Sequence, residues 1–170
     1  VTMYRKNGKF GVCCHENEVK EDDTTKSFLW DVARKLDLEN RMIAMHLDNI
    51  AIQGELAGPK IQKNRLKLLE HQWFVFTIKD LSTGHRLSLN QMLDIANDLG
   101  LTTVPIEETG ENLQDKYPTL DSLLERANGY YQSGQKKEGI VIRPRIPVAS
   151  PTLSGALSFK VLNNDFLLKE

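Results

Sequence analysis

The 170 residues fit one domain, long enough to bury a sizeable apolar core without disulfides or a structural metal. The 22 Lys+Arg against 23 Asp+Glu leave a formal net charge of -1, which excludes a global cationic excess, so any contact with phosphate must be local. No apolar run approaches the ~20 residues of a membrane helix, and Val1-Thr2-Met3-Tyr4-Arg5-Lys6 lacks a signal-peptide layout, so no membrane partner and a cytoplasmic location are expected.

Val1 to Lys6, Asn7-Gly8 and Lys9 to Cys14 form a hairpin signature, because both central residues of a type I′ turn need positive φ. Cys13 and Cys14 are neighbours on its return strand and point to opposite faces, a poor disulfide pair that fits a reducing compartment. Phe28, Leu29, Val32 and Leu36 recur at helical spacing and predict a helix from about Thr25 to Leu36. Asn49 to Leu56 alternates as a half-buried strand until Gly58-Pro59 stops it, and Trp73 to Ile78 is a second strand. Between them Lys60 to Arg65 is polar and basic, an exposed loop.

Ser88-Leu89-Asn90-Gln91 has the form of a capping box, followed by Leu89, Met92, Leu93, Ala96 and Leu99 at helical spacing and closed by Gly100. Val104 falls in a short strand. A further helix runs from about Thr119 to Ala127, with Leu120, Leu123, Leu124 and Ala127 on one face. Glu138 to Arg143 and Leu157 to Leu162 are the last strands, separated by the Pro-rich loop Pro144 to Pro151. Strands and helices intermix without regular alternation, so the predicted class is α+β, antiparallel β-sheets flanked by helices.

Chemistry concentrates in a few stretches. In Glu138-Gly139-Ile140-Val141-Ile142-Arg143-Pro144 the β-branched run suits a strand buried on both faces, with charges at its ends; alternatively, Glu138 is a hard oxygen ligand for Mg²⁺ and Gly139 permits a close backbone approach. Elsewhere Gln53-Gly54-Glu55-Leu56 carries a carboxylate, Phe74-Val75-Phe76 alternating aromatics, and Ser158-Phe159-Lys160-Val161 a strand-borne lysine. A nucleotide site needs that inventory: an aromatic face for a base, an acid for ribose hydroxyls, an acid for metal and a cation for phosphate.

The set, in this order and over roughly Val1 to Lys169, resembles the covalent nucleotidyltransferase superfamily, and within it the RNA ligase 2-like ATP-dependent RNA ligases. The resemblance extends to the closing Phe166-Leu167-Leu168-Lys169. It implies an adenylyltransferase domain spanning 1–170, the C-terminal part of a longer parent protein with an upstream domain. It also implies ATP with Mg²⁺ or Mn²⁺, and RNA 5′-phosphate and 3′-hydroxyl ends as partners, sealed through lysyl-AMP and RNA-adenylate. Carried over residue by residue, Glu55 contacts the ribose and Phe76 stacks on adenine, with Phe74 as its fallback. Glu138 acts on the metal and Lys160 contacts the α-phosphate.

No Lys-x-(Asp/Glu)-Gly, the family's nucleophile motif, occurs at or near Val1, so the attacking lysine is expected upstream and this chain alone is expected not to self-adenylylate. Two further departures stand out. Lys160-Val161-Leu162 has one lysine where some relatives have Lys-x-Lys, and Cys14-His15-Glu16 replaces a Ser-Arg-Asn-like stretch. The loop bearing Lys60, Lys63, Arg65 and Lys67 could hold RNA phosphates, or be a solvated charge run. The other readings are a degenerate nucleotidyltransferase fold acting as an RNA- or protein-binding module, and a DNA ligase or capping-enzyme relative.

Overall fold

The computed structural model describes every residue except Glu16, Thr25, Ser154, Lys169 and Glu170, together with the side chain of Ser27. The hairpin forms as its turn chemistry dictates: β1 (Thr2–Lys6) and β2 (Lys9–Cys14) are joined by Asn7 at φ 50° and Gly8 at φ 76°. Then come β3 (Asn17–Val19), α1 (Ser27–Lys35), α2 (Leu38–Ala44), β4 (Ile50–Ala57) and β5 (Gln72–Asp80). The rest comprises α3 (Leu89–Asp98), α4 (Leu113–Lys116), α5 (Leu120–Ala127), β6 (Gly139–Ile142), β7 (Ala149–Ser150), β8 (Gly155–Ala156), β9 (Phe159–Leu162) and α6 (Asn164–Leu167).

The first five strands make one antiparallel sheet in the order β3-β2-β1-β4-β5. Strand alternation sends Met3, Val12, Ile52, Val75 and Ile78 to one face, where all are fully buried against Leu38 and Met42 of α2 and against Leu99 beyond α3. Each such side chain contributes roughly 1.5–3 kcal/mol relative to exposure, so the stability of this half resides on the helix-covered face and the opposite face is left for other work. The expected α+β class, antiparallel sheets flanked by helices, is the architecture observed. No helix among the described residues is long and apolar enough to cross a membrane.

The Ser88 capping box is complete, with Gln91 N–H donating to Ser88 Oγ and Ser88 N–H to Gln91 Oε1, and Gly100 follows the helix at φ 64°. The Thr25–Leu36 expectation becomes α1, its proposed start at Thr25 lying outside the described residues. Several elements escaped the sequence reading, among them α2, β3, α4 and α6. Asp37 enters the left-handed region at φ 51° and restarts the chain as α2, and β3 is only three residues with little apolar signal. Val104 does not lie in a strand: its N–H donates to Val75 O beside an isolated bridge, Val75↔Thr103, at the edge of β5.

A second, two-stranded sheet pairs β6 with β9, and a short hairpin pairs β7, within the loop expected from Pro144 to Pro151, with β8 beyond its end. The expectation that Ile140-Val141-Ile142 is buried on both faces fails, because Val141 is 54% exposed on a sheet too small to be sandwiched. Polar ties substitute for a core. Asn163, fully buried, donates from Nδ2 to Lys137 O at 2.9 Å and from its backbone N–H to Glu138 O at 2.9 Å, while its Oδ1 caps α6 through Asp165 N–H. Asn163→Ala should therefore destabilise the protein by about 2–3 kcal/mol in chemical denaturation, combining a missing cap with an orphaned buried carbonyl. Asn163→Asp, which keeps the cap, should recover part of that stability.

Candidate functional site

The side of β4 and β5 away from the helices carries Glu55, opposite Phe74 in register, and Phe76. The register shifts between Gln53 and Gly54: Gln53 pairs with Thr77 and Gly54 with Val75, leaving Phe76 as the extra residue of a β-bulge. Burial alternates from Trp73 to Phe76 and then breaks, since Thr77 and Ile78 are both buried. Phe74 and Phe76 thus stand half-buried on the same face, and the bulge gives Phe76 a strand environment unlike that of its neighbour. Gly54 is required here because a Cβ would lie 2.5 Å from the Trp73 Nε1 packed beneath it. Among the described residues Glu55 is exposed and makes no side-chain hydrogen bond or ion pair.

Glu138 and Lys160 meet across the second sheet. Lys160 lies opposite Val141 in register, and its Nζ reaches along the strand to donate to Glu138 Oε2 at 2.8 Å. Both side chains are partly exposed, so the pair contributes no more than ~1 kcal/mol to the fold and is free to exchange partners. Gly139, at φ 145°, sits where a Cβ would collide with the Val161 carbonyl, so the close approach anticipated at this glycine is made by the partner strand.

Arg143 joins the two walls, a role the sequence reading did not assign. One guanidinium nitrogen donates to Phe76 O at 2.8 Å and Thr77 Oγ1 at 2.9 Å, and Nε donates to Ser158 Oγ at 3.1 Å. The guanidinium lies 5.3 Å from the centroid of the Phe76 ring, within cation–π range. Desolvation, and secondarily the Arg86 charge, lower its pKa below the usual arginine value. It remains a cation at neutral pH. The signal available in sequence was an arginine closing the β-branched run, which is also how an ordinary solvated strand end looks.

The bulged aromatic and the Glu138–Lys160 pair are therefore linked through Arg143 and Ser158, while Glu55 shares the aromatic face but stands apart from that linkage. The surface depressions elsewhere, about 470 Å³ beside Glu18, Asp22 and Trp30 and about 130 Å³ beside Lys35, Glu70 and His71, contain none of these residues. The site is an open face. On β9 the lone Lys160 is followed by buried Val161 and half-exposed Leu162, so no second cation stands beside it on that strand. His15 lies in a turn at φ 54°, and Glu16 of that departure, like Lys169 of the closing stretch, lies outside the described residues.

One literal Lys-x-Glu-Gly string does occur, Lys136-Lys137-Glu138-Gly139, overlapping the acid already singled out. Its first lysine is tied to Asp165 at 3.0 Å. Lys137 is tied to Glu107 at 2.5 Å, and that hydrogen bond is the main cause holding the Glu107 carboxyl below its ordinary range.

The family model for RNA ligase matches residues 1–162. The chain belongs to the RNA ligase family. Solved structures agree: Naegleria gruberi RNA ligase with PPi superposes at a TM-score of 0.82 with 27% identity, covering 99% of this chain and 48% of that one. A glutamate-to-alanine variant of the same ligase with ATP and Mn gives a TM-score of 0.83 at 27% identity, with coverage of 99% and 48%. A lysine-to-methionine variant with AMP and Mn gives 0.80 at 27% identity and the same coverage. This RNA ligase chain thus spans about half the length of the solved ligases it matches. No curated protein matches it by sequence.

Proposed function

We propose that this chain is the nucleotidyltransferase core of an ATP-dependent RNA ligase, which joins RNA 5′-phosphate and 3′-hydroxyl ends through lysyl-AMP and RNA-adenylate. The observation that carries the reading is the Arg143 link, which ties the strand of a half-buried aromatic to the sheet that carries a carboxylate–lysine pair. Phe76 offers its face to adenine, and Glu55, unpartnered on the same face, accepts from the ribose hydroxyls. Lys160 exchanges Glu138 for the α-phosphate and neutralises charge that builds there during phosphoryl transfer.

The residues fit Mg²⁺ or Mn²⁺ as a nucleotide-borne ion. Among the described residues there is no cluster of three or more His, Cys, Asp or Glu able to hold a metal. Glu138 would therefore offer one carboxylate to an ion carried in on the nucleotide phosphates. The bound ion would neutralise phosphate charge. Naegleria gruberi RNA ligase variants hold ATP and Mn, which supports the same pairing here.

The proposed location of the attacking lysine is upstream, in a part of the parent protein preceding residue 1. The Val1 amine donates to Gly54 O and Gly54 N–H to Val1 O, both at 2.9 Å, so a segment leading into Val1 would emerge beside Glu55. Lys136, held by Asp165, is the competitor. A cytoplasmic location is part of the proposal, supported by two unpaired cysteines.

The test is nucleotide binding by the chain itself. Phe76→Ala should weaken ATP–Mn²⁺ binding by roughly tenfold to a hundredfold, the usual cost of removing a stacked base's partner, and Phe74→Ala by clearly less. Calorimetric titration checks both. Equal effects would move the adenine to a position shared by the two rings, and no effect from either would remove it from this face.

A further inference from the structure

The loop between β4 and β5 has a backbone that its sequence does not favour. Lys60, Gln62, Lys63, Asn64 and Lys67 all lie at positive φ, at 65°, 42°, 60°, 45° and 53°, with Gln62 to Asn64 making a consecutive left-handed turn. Asparagine tolerates that region and glycine adopts it freely, but lysine and glutamine are strained there. Strain of this kind persists only where surrounding contacts impose it, and it concentrates at functional segments.

The contacts that impose it are visible. Asn64 Nδ2 donates to Leu68 O at 2.8 Å and Leu68 N–H returns to Asn64 Oδ1 at 3.0 Å, closing the loop on itself. Ser133 Oγ donates to Arg65 O at 2.6 Å, and the Arg65 guanidinium lies 4.2 Å from the centroid of the Phe166 ring. The feet of the loop are the strands that carry Glu55 and Phe76, and its crest rests on α6, which directly follows the strand of Lys160. It therefore spans one end of the open face from one wall to the other.

Three lysines project from this pinned arch. Lys60, Lys63 and Lys67 are exposed, and none makes a side-chain hydrogen bond or ion pair among the described residues. By contrast Arg34, Lys35, Lys116, Arg126, Lys136 and Lys137 each hold a carboxylate. A connector under no other demand would place glycine at these left-handed positions. Lysine there keeps the strain and adds only charge.

We infer that Lys60, Lys63 and Lys67 form a prearranged cationic rail that takes the backbone phosphates of the RNA strand as it crosses the end of the nucleotide face. The choice of RNA rests on the RNA-ligase reading above. The rail supplies the local positive charge that a chain of net charge -1 requires for a polyanion. It reads phosphate and not base, so it adds affinity without sequence preference.

Glycine substitution separates charge from fold, because it removes the cations and relieves the backbone together. In K60G/K63G/K67G the thermal midpoint should stay level or rise, and ATP–Mn²⁺ binding should be unchanged. Affinity for a fluorescent single-stranded oligoribonucleotide near 0.1 M salt should fall at least tenfold. The slope of log affinity against log salt should become shallower by about two, at ~0.7 for each single-strand phosphate no longer neutralised. A K60Q/K63Q/K67Q variant, which keeps side-chain bulk, should weaken RNA binding to the same extent. Unchanged RNA affinity and slope, absence of RNA binding by the wild-type chain, or loss of ATP binding with RNA retained would each overturn the assignment. Failure of the wild-type chain to bind ATP would instead count against the nucleotide site and leave the salt slope to judge the rail.

Discussion

Glu138→Ala, placed in a version extended upstream to include the attacking lysine, is expected to lower formation of the covalent AMP adduct by roughly a hundredfold or more while leaving the fold intact. The size follows from the role proposed for Glu138: removing one preorganised electrostatic group at a developing charge typically costs about 10²–10³ in rate. The intact fold follows from geometry. The Glu138–Lys160 pair, at 2.8 Å, is partly exposed on both sides, so breaking it changes stability by no more than ~1 kcal/mol. Lys160→Ala should behave alike. The double variant should be little worse than either single one, because Lys160 and the ion that Glu138 would hold serve the same phosphate. Single-turnover labelling with α-labelled ATP measures the rates, and a thermal melt on the same samples checks the fold. A parallel drop in midpoint and rate would reassign the pair to structure.

Gly139→Ala is expected to be the most damaging small substitution in the second sheet, at ~3 kcal/mol or more. At φ 145° any L side chain is strained, and the atom the new Cβ meets belongs to the Val161 backbone, which cannot swing aside. Nor can the sheet absorb the shift. Val161 is its one core-buried side chain, while Val141, Phe159 and Leu162 are substantially exposed. Hydrogen exchange should therefore show reduced protection at Ile140 and Ile142 while Ile52 and Ile78 of the main sheet remain protected, a local opening with the core intact. Uniform deprotection across both sheets would show that they unfold as one unit.

The parts of the fold that were legible in sequence are those with local causes. Asn7-Gly8 dictates its own turn, Ser88 and Gln91 close a capping box within one helical turn, and the Ile50–Ala57 strand alternates because one face is buried. What was not legible depends on partners distant in the chain. The run Ile140-Val141-Ile142 has the composition of a doubly buried strand, yet it sits in a two-stranded sheet with β9 and leaves Val141 exposed. The bulge at Phe76 cannot be read from β5 alone, since it exists only in the register against Gln53 and Gly54.

The same distinction applies to the site. Glu55, Phe76, Glu138 and Lys160 were named from the family resemblance their stretches carry, and the structure brings Glu138 and Lys160 into contact. The group that binds their wall to the aromatic, Arg143, acts through bonds to residues 66 and 67 positions earlier in the chain. Asn163, which the sequence reading did not single out, holds the backbone of Glu138 from a buried position. The strain in the Lys60–Lys67 loop was equally invisible, because residue types report charge and only the backbone reports that the charge sits where glycine would be easier.

The most direct test of the ligase reading is covalent labelling with α-labelled ATP and a divalent metal, performed on this chain and on a version extended upstream through a Lys-x-(Asp/Glu)-Gly motif. AMP is expected on the upstream lysine of the extended protein, its formation slowed by roughly a hundredfold or more in Glu138→Ala, with no adduct on the 170-residue chain. An extended protein that takes no label, or an adduct that maps to Lys136 of the shorter chain, would contradict it.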